Sequence, residues 1–442
     1  MINQKIIYGI LIVLDVFGFY AAYQLAYRLR FDHWPHSFDN SLWILMAVVL
    51  VIFYVMNVYK MEITRDPVVF SLDALIATIG IAVLSVVVVY VFGVDRFRPI
   101  FGRGVLPVVL LLFSIWACSI RWLLANWFQK SNGIVNWLVI SEKEIFEEIN
   151  KGISGSFLNS GNQKITLLDH NKEDAIRQWI NQNPNRPGIV YNNQNLQENE
   201  ILALREADQK IPVFSVQLFY ETFLNKLPVE FAEKDWLLPG EKNLLNDEMG
   251  LRIKRVLDLI FAFVATLICL PIMIIIGILI YGFSPGKAVI YRQKRVGLNG
   301  REFVLYKFRS MVPDAESQGA KWSEENDPRI TKLGGFLRST RLDELPQLCN
   351  LILGNMSLIG PRPERPEFTS TLQDEIPFYE MRHVVPPGIT GWAQVRYPYG
   401  SSVEDAKRKL EYDLFYIKNH SIRLDFIIVI KTLYVVLTRK GR

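Results

Sequence analysis

The stretch of sequence that decides the fold is VLDLIFAFVATLICLPIMIIIGILIY, residues 256–281. At about 1.5 Å per residue, a helix over this stretch reaches roughly 39 Å, more than a hydrocarbon core of about 30 Å. Basic residues flank both ends: Arg252, Lys254 and Arg255 precede it, and Lys287, Arg292, Lys294 and Arg295 follow it. Since Lys and Arg mark the cytoplasmic side of a membrane, both ends are expected on one side.

Pro271 lies near the middle of this apolar stretch. A proline inside a helix removes a backbone hydrogen bond and clashes with the preceding turn, so it is expected to break the helix into two arms. Each arm is too short to cross alone, which predicts a re-entrant hairpin over residues 256–281. A kinked helix that still spans the membrane remains the alternative, because prolines are tolerated in such helices.

Four further apolar runs precede this stretch, at residues 6–25, 42–59, 72–92 and 105–124. Their length and scarcity of charge predict four transmembrane helices within residues 1–130. The first run is not expected to be a cleaved signal peptide, because no small-residue cleavage site precedes the second. Asp15 interrupts it, and either a functional or a helix-packing role is open. Basic residues are balanced between the loops, so a cytoplasmic orientation depends on the hairpin flanks.

Composition excludes some classes of protein. The 442 residues carry a net charge of +5, and their basic residues cluster beside apolar segments, as suits an anionic membrane surface or a phosphate substrate. No recognition helix or base-stacking pattern indicates nucleic-acid binding. The 3 cysteines lack the spacing of a disulfide framework or a zinc site.

Residues 131–248 show a different periodicity. Apolar runs at residues 135–140, 165–168, 188–191 and 211–216 alternate with helical patterns at 144–153 and 172–180, which predicts a small parallel α/β domain. A dinucleotide site needs glycines directly after the first strand, but that turn reads Ser-Glu-Lys-Glu at residues 141–144. We therefore expect a structural, regulatory or dimer-forming domain here.

The run TRLDELPQL at residues 340–348 sets two adjacent carboxylates, Asp343 and Glu344, beside a helix start. Proline is tolerated in a first helical turn, so Pro346 predicts a helix beginning near Asp343. Backbone N–H groups and the helix dipole there are expected to keep Asp343 ionised and to attract a phosphate. A solvated acidic first turn is the alternative for this fragment alone.

Several dense motifs surround the acidic pair: YRQKRVG at 291–297, YKFRSM at 306–311, DPRIT at 327–331, GPRP at 360–363, PGITGWAQV at 387–395 and YDLFY at 412–416. In this order they resemble the bacterial sugar transferase family of polyprenyl-phosphate phosphoglycosyl transferases. The whole layout is similar to the large subgroup that acts on undecaprenyl phosphate. The resemblance covers nearly the whole chain and is most specific over residues 254–421, including Asp258.

The resemblance implies an overall architecture. The expected architecture is that of a membrane protein with a four-helix transmembrane region (1–130) and a Rossmann-like α/β middle domain (131–248). A re-entrant membrane hairpin with a mainly α α/β catalytic domain (249–442) is expected to follow. An apolar stretch at residues 424–437 is too short to span and is expected to form an interfacial helix. The family further suggests a homodimer in the bacterial inner membrane, with the catalytic domain facing the cytoplasm.

The resemblance also implies the chemistry. Asp343 would attack the sugar-bearing phosphate of a UDP-sugar and expel UMP, and undecaprenyl phosphate would then take the sugar phosphate from the aspartyl ester. Glu344, with Asp343, would help hold Mg2+. The expected substrate-binding residues are basic except for one acid: Lys307, Arg309, Arg338, Arg362 and Asp413.

Each of these assignments has a plainer alternative. The basic residues could serve as surface or lipid-headgroup charges, and Asp413 could form a structural salt bridge. Arg341, two residues before Asp343, replaces a residue that is usually small in the family, which could alter substrate preference.

Two other functions compete with this prediction. The chain could be a membrane scaffold or sensor without turnover, or a transferase that joins the substrates directly without a covalent intermediate. The hexose cannot be read from a motif, and glucose, galactose and N-acetylated sugars are all candidates.

Overall fold

The structure is a computed structural model, and it describes residues 4–35, 40–55, 58–59, 67–92, 105–132, 136–154, 164–168, 173–184, 187–192, 211–231, 248–283, 288–313, 315, 327–397, 400 and 402–438. Contacts divide the chain into two compact units, Met1–Leu224 and Asn225–Arg442. Residues 225–231, which we had assigned to the middle domain, belong to the second unit. The predicted domain boundaries otherwise stay predictions.

The N-terminal apolar runs all form helices. These are α1 (Gln4–Phe31), α2 (Asn40–Val55), α3 (Pro67–Phe92) and α4 (Val105–Asn132). Their buried faces share one apolar core that includes Phe19, Phe53 and Phe113. Asp15 of α1 and Arg121 of α4 form a fully buried ion pair through two hydrogen bonds of 2.7 and 3.0 Å. The pair ties the first helix to the fourth, which is the packing role considered for Asp15.

Helix length distinguishes the candidate membrane spans among the described residues. Three helices are long and apolar enough to cross a membrane, at Ile7–Phe31, Val105–Phe128 and Glu248–Phe283. The apolar helices Leu42–Tyr54 and Phe70–Ala82 are shorter. The described part of the chain is therefore that of a membrane protein, and the four-span arrangement stays a prediction.

The α/β region contains the predicted parallel sheet. Its strands are β1 (Asn136–Ile140), β2 (Lys164–Leu168), β3 (Pro187–Tyr191) and β4 (Val213–Ser215), in the order β2-β1-β3-β4. Helices α5 (Lys143–Ser154) and α6 (Glu173–Gln182) follow β1 and β2, and α7 (Val216–Phe219) follows β4. All pairings are parallel, and the strand order reverses between β1 and β3 as in doubly wound sheets. This confirms the α/β prediction.

Helix α8 (Glu248–Phe283) contains the decisive apolar stretch and runs through Pro271 as one helix. The structure therefore differs from the predicted separation into two arms at that proline. Its first part buries Gly250, Lys254, Asp258 and Ala262, which lie four residues apart on one face, and its last part buries Ile276 and Ile280. The side chains between Ala262 and Ile276 are not buried in the protein. Lys287, one of the predicted flanking charges, lies outside the described residues.

The rest of the second unit is a small α/β assembly. Strands β5 (Ile290–Val296) and β6 (Glu302–Phe308) form an antiparallel hairpin, and β7 (Ser357–Ile359) pairs in parallel with β8 (Gly388–Thr390). The helices are α9 (Lys332–Ser339), α10 (Gln347–Leu353), α11 (Pro366–Glu375), α12 (Trp392–Arg396), α13 (Val403–Lys418) and α14 (Ile422–Thr438). Helix α14 covers the predicted interfacial segment.

Close backbone contacts explain several glycines of the motifs. A Cβ added at Gly360, Gly388 or Gly391 would overlap backbone atoms of the neighbouring strand. A Cβ at Gly334 would overlap the carbonyl oxygen of Ser310. These glycines therefore allow β7, β8 and α9 to pack tightly against neighbouring backbone.

Candidate active site

The acidic pair lies in a single 3-10 turn, Leu342–Glu344, between α9 and α10. Pro346 is the N-cap of α10, which begins at Gln347 and is short, so the predicted position of the acids in the first turn of that helix is wrong in detail. Arg341 caps the turn with φ of 60°, in the left-handed region that non-glycine residues rarely adopt. This turn directs two adjacent carboxylates to different environments.

Glu344 lies within a cluster of positive charges. Its Oε1 accepts hydrogen bonds from Arg362 Nη2 at 2.7 Å and Lys307 Nζ at 3.2 Å, and Arg341 Nη1 lies 3.6 Å away. The Glu344 side chain is 11% exposed. Burial alone would raise the pKa of Glu344, but the charges of Arg362, Lys307 and Arg341 hold it well below its usual range. Glu344 is therefore firmly ionised.

Asp343 has the opposite electrostatic environment. Burial and then the negative charge of Glu344 raise its pKa, and Lys307, Arg338 and Arg362 only partly offset these effects. The raised pKa does not by itself neutralise Asp343 near pH 7, so the expectation that this carboxylate is ionised stays a prediction. A buried carboxylate with a raised pKa is a stronger base and nucleophile than an ordinary aspartate.

The predicted basic residues are only partly brought together. Lys307 extends from β6 and Arg362 from the loop after β7, and both contact Glu344. Arg338, near the end of α9, acts electrostatically on Asp343. Arg309 is half-buried at the end of β6, and its backbone N–H donates to Val289. It is not among the main charges that act on the two carboxylates.

Asp413, which we had predicted to bind substrate, is buried in α13. It accepts a 2.8 Å hydrogen bond from Arg382 Nη2, and the same nitrogen donates to the carbonyl oxygen of Arg362 at 2.9 Å. Burial raises the pKa of Asp413 to about 6, against the charge of Arg382. Sequence reasoning missed Arg382, and the only available signal was an arginine just before the PGITGWAQV motif.

Other motif residues stabilise the surroundings of the site. Asp258 of α8 accepts hydrogen bonds from Ser357 Oγ at 2.7 Å and Leu358 N at 3.2 Å, which fixes β7 against the long helix. In the DPRIT motif, Arg329 forms a forked pair with Asp327, with a 2.8 Å bond to Oδ1 and a 2.5 Å bond to Oδ2. These pairs support the fold around the acidic turn.

The donor set at the acidic turn fits a hard cation. Asp343 and Glu344 provide adjacent carboxylate oxygens, the ligand type that Mg2+ prefers. The three basic contacts given for Glu344 all fall on its Oε1. Within the described residues no cluster of three or more acidic, histidine or cysteine side chains could hold a metal alone. The site thus fits Mg2+ only where substrate oxygens complete its coordination.

The described helices are those of a membrane protein, and comparison with known proteins gives the family. A profile described as bacterial sugar transferase matches residues 249–439. The chain is 54% identical over 132 residues to a putative undecaprenyl-phosphate N-acetylgalactosaminyl 1-phosphate transferase of Bacillus subtilis (strain 168), covering 30% of this chain and 73% of that protein. This chain therefore belongs to the bacterial sugar transferase family.

Longer relatives are matched over part of their length. The chain is 41% identical over 231 residues to the UDP-N-acetylgalactosamine-undecaprenyl-phosphate N-acetylgalactosaminephosphotransferase of Aeromonas hydrophila, covering 52% of this chain and 53% of that protein. It is 43% identical over 190 residues to the UDP-glucose:undecaprenyl-phosphate glucose-1-phosphate transferase of Xanthomonas campestris pv. campestris, covering 42% and 39%. The match thus spans about half or less of these two relatives.

Proposed function

We propose that this protein transfers a hexose-1-phosphate from a UDP-sugar to undecaprenyl phosphate through a phosphosugar-aspartyl intermediate. The observation that carries the proposal is the acidic turn, where a buried Asp343 lies beside Glu344, Lys307 and Arg362 bind Glu344, and the charges of Lys307, Arg338 and Arg362 act on Asp343. Relatives named as undecaprenyl-phosphate sugar phosphotransferases support the substrates. The reaction would start the assembly of a polysaccharide.

Two displacements at phosphorus make up the reaction. A carboxylate oxygen of Asp343 attacks the sugar-bearing phosphorus of the UDP-sugar, and the bond from that phosphorus to the bridging oxygen breaks, so UMP leaves. A phosphate oxygen of undecaprenyl phosphate then attacks the phosphorus of the aspartyl ester. The new P–O–P linkage forms as the Asp343 carboxylate departs, giving undecaprenyl diphosphate sugar.

The charges around Asp343 suit both displacements. Negative charge spreads over the oxygens of the transferring phosphoryl group, and preformed positive groups in a partly buried site stabilise it. Lys307 and Arg362 already lie in place on Glu344, so little reorganisation is needed when the substrate binds. Arg338 lies close enough to influence Asp343 and is the next candidate for a phosphate contact. We retain Arg309 as a weaker candidate.

Asp343 and Glu344 would hold Mg2+ together with the diphosphate of the substrate. The ion would supply additional charge neutralisation at the phosphoryl oxygens. Glu344 also keeps the two basic side chains oriented, because both donate to its Oε1.

We further propose that α8 enters the bilayer and returns to the same face. Both of its ends pack on the same unit: Arg255 donates to carbonyl oxygens of α10, while Ile276 and Ile280 pack with Phe308 of β6. Asn350 hydrogen-bonds Val304 and Tyr306 and so joins α10 to β6. A straight helix would hold residues 258 and 280 about 33 Å apart, so a bend near Pro271 accounts better for both contacts.

The variant Pro271→Leu tests this bend. It should straighten α8 and impair turnover, as measured by labelling of single cysteines introduced at each flank and by UMP release. Gly282→Ala is the matched control, because no atom lies within 4 Å of an added Cβ there. Unchanged accessibility of both flanks and unchanged turnover in Pro271→Leu would contradict the re-entrant arrangement.

The remaining features of membrane assembly complete the proposal. The four N-terminal helices span the bacterial inner membrane, the catalytic unit faces the cytoplasm, α14 lies at the interface, and two chains associate. The basic flanks of α8 support the cytoplasmic orientation. The family resemblance supports the dimer and the Rossmann-like character of the middle domain.

The decisive experiment measures UMP release from a panel of UDP-sugars by the full chain in membranes supplied with undecaprenyl phosphate. UDP-glucose, UDP-galactose and their N-acetylated forms are the panel, since relatives are named for both glucose and N-acetylgalactosamine. A sugar labelled on its phosphate should be trapped on the protein and lost in Asp343→Asn. Turnover without any trapped adduct would favour direct transfer, and no turnover with any sugar would favour a scaffold.

A further inference from the structure

The loop that carries Arg362, residues 359–364, is held at almost every carbonyl oxygen. We call this segment the Arg362 loop. Five of its carbonyl oxygens accept hydrogen bonds at 2.9 to 3.1 Å. In chain order, Ile359 accepts from Tyr416, Pro361 from Gly388, Arg362 from Arg382, Pro363 from Arg295 and Glu364 from Val296. Pro361 and Pro363 have no backbone N–H group to donate, and their fixed φ angles further stiffen the segment.

Arg382 differs from the other donors because it binds the backbone of Arg362 itself. We propose that Arg382 is a positioning residue that sets the direction of the Arg362 guanidinium toward the acidic turn. This inference rests on the proposed function, in which Arg362 stabilises the transferring phosphoryl group. Nothing in the family comparison assigns a function to Arg382.

The geometry of Arg382 suits a positioning function. Its Nη1 donates to Tyr379 Oη at 2.6 Å, and its Nη2 donates to Asp413 at 2.8 Å and to the Arg362 carbonyl at 2.9 Å. Three structural elements are thus joined by one planar group, which a lysine ammonium on a flexible stem cannot reproduce. The guanidinium also lies over the Tyr379 ring, 5.1 Å from its centre.

Burial and charge separate Arg382 from the substrate-facing cations. The side chain of Arg382 is 7% exposed and that of Asp413 is 2% exposed, whereas that of Arg362 is 34% exposed. The Asp413 carboxylate neutralises Arg382 inside the protein, so Arg382 adds little field to the site. Its effect on the reaction must therefore pass through the Arg362 loop.

A double-mutant cycle tests this dependence. The rate of Asp343 adduct formation is measured in single turnover for Arg382→Lys, alone and combined with Arg362→Gln, using the UDP-sugar that wild type accepts. Lysine keeps a positive charge beside Asp413 but lacks the planar guanidinium that donates from two nitrogens. We expect Arg382→Lys alone to slow adduct formation roughly 3- to 30-fold, the effect of one or two charge-assisted hydrogen bonds. In the Arg362→Gln background it should have less than about a twofold effect.

Controls keep the outcome interpretable. Arg301→Lys makes the same replacement at an exposed turn residue and should leave the rate unchanged. Tyr379→Phe removes one anchor of Arg382 while its pair with Asp413 remains, and it should give a smaller loss that also disappears in the Arg362→Gln background. Should Arg382→Lys fail to fold, Tyr379→Phe supports the same cycle.

If Arg382→Lys slowed adduct formation by the same factor in the wild-type and Arg362→Gln backgrounds, the proposal would be overturned and Arg382 would be a merely structural residue. An Arg382→Lys variant with the wild-type rate of adduct formation would also overturn the proposal. The proposed function fails in a different way, because wild type would then release no UMP from any sugar of the panel. The two failures are therefore distinguishable.

Discussion

Replacing each carboxylate of the acidic turn by an amide of the same shape should change the stability of the protein in opposite directions at Asp343 and Glu344. Asp343→Asn removes a charge that burial and Glu344 disfavour, whereas Glu344→Gln removes a charge that three basic side chains stabilise. We therefore expect Asp343→Asn to raise the melting temperature at pH 8 and Glu344→Gln to lower it. Both replacements keep the shape of the side chain, so packing should not hide the electrostatic effect.

The loss of stability expected for Glu344→Gln follows from the contacts that Glu344 makes. Removing one partner of a buried ion pair costs about 3–5 kcal/mol. Arg362 and Arg341 are 34% and 40% exposed, so water partly compensates them, and the lower end of that range applies. About 3 kcal/mol corresponds to a loss of roughly 6–12 °C for a unit of 150–250 residues. The Asn variant should lose adduct formation while gaining stability.

The pH dependence of the two effects gives a second criterion. The pKa of Asp343 is raised, so the destabilisation by its charge appears only as pH rises above the ordinary aspartate value, and Asp343→Asn should gain less at pH 4.5 than at pH 8. The pKa of Glu344 is lowered, so its stabilisation is fully present above the ordinary glutamate value and is lost only at much lower pH. The Glu344→Gln deficit should thus stay constant from pH 5 to 8.

Thermal melts of the full chain in detergent micelles, monitored by intrinsic fluorescence, provide the assay. Glu302→Gln is the matched control, because Glu302 pairs with Lys294 at the exposed edge of the hairpin. If both site variants shifted the melting temperature in the same direction, the assignment of opposite environments to Asp343 and Glu344 would be refuted.

Three further predictions concern the acidic turn, the packing of α9 and the buried ion pair between α1 and α4. Glu344→Gln should move the acid limb of adduct formation to lower pH than in wild type, because the charge of Glu344 helps to raise the pKa of Asp343; an unmoved or raised limb contradicts this. Gly334→Ala should destabilise the chain by at least about 2 kcal/mol through overlap with Ser310, whereas Gly335→Ala, with open space around the added Cβ, should stabilise it by about 0.5–1 kcal/mol in the same melts. Asp15→Asn should cost about 3–5 kcal/mol by leaving Arg121 buried without its carboxylate, and the double change Asp15→Leu with Arg121→Leu should recover most of that loss; a harmless Asp15→Asn counts against the pair.

Local pattern was sufficient to predict much of the fold. Each apolar run of the N-terminal region forms a helix, and each apolar run of the α/β region forms a strand, because helical and strand periodicities differ along the sequence. The start of α10 was less well predicted, since Pro346 is compatible with a cap as well as with a first turn. The sequence left open whether α8 breaks at Pro271 or continues through it, because prolines are tolerated within membrane helices.

The candidate site was predictable in its residue types but not in its electrostatics. The motifs indicated Asp343, Glu344, Lys307 and Arg362, which the structure brings together. The raised pKa of Asp343 depends on burial by residues far apart in the chain. The bond from Arg382 to Asp413 joins positions 31 residues apart, and no local pattern distinguishes such a pair from a surface salt bridge.

The buried pair of Asp15 and Arg121 has a consequence for how the protein is made. The two residues are separated by 106 positions, so at about 5–20 residues per second the ribosome needs roughly 5 to 20 s to synthesise the second after the first. During that interval Asp15 is part of the growing chain without Arg121, its partner in the folded protein. The ion pair that joins α1 to α4 can therefore form only after α4 has been synthesised.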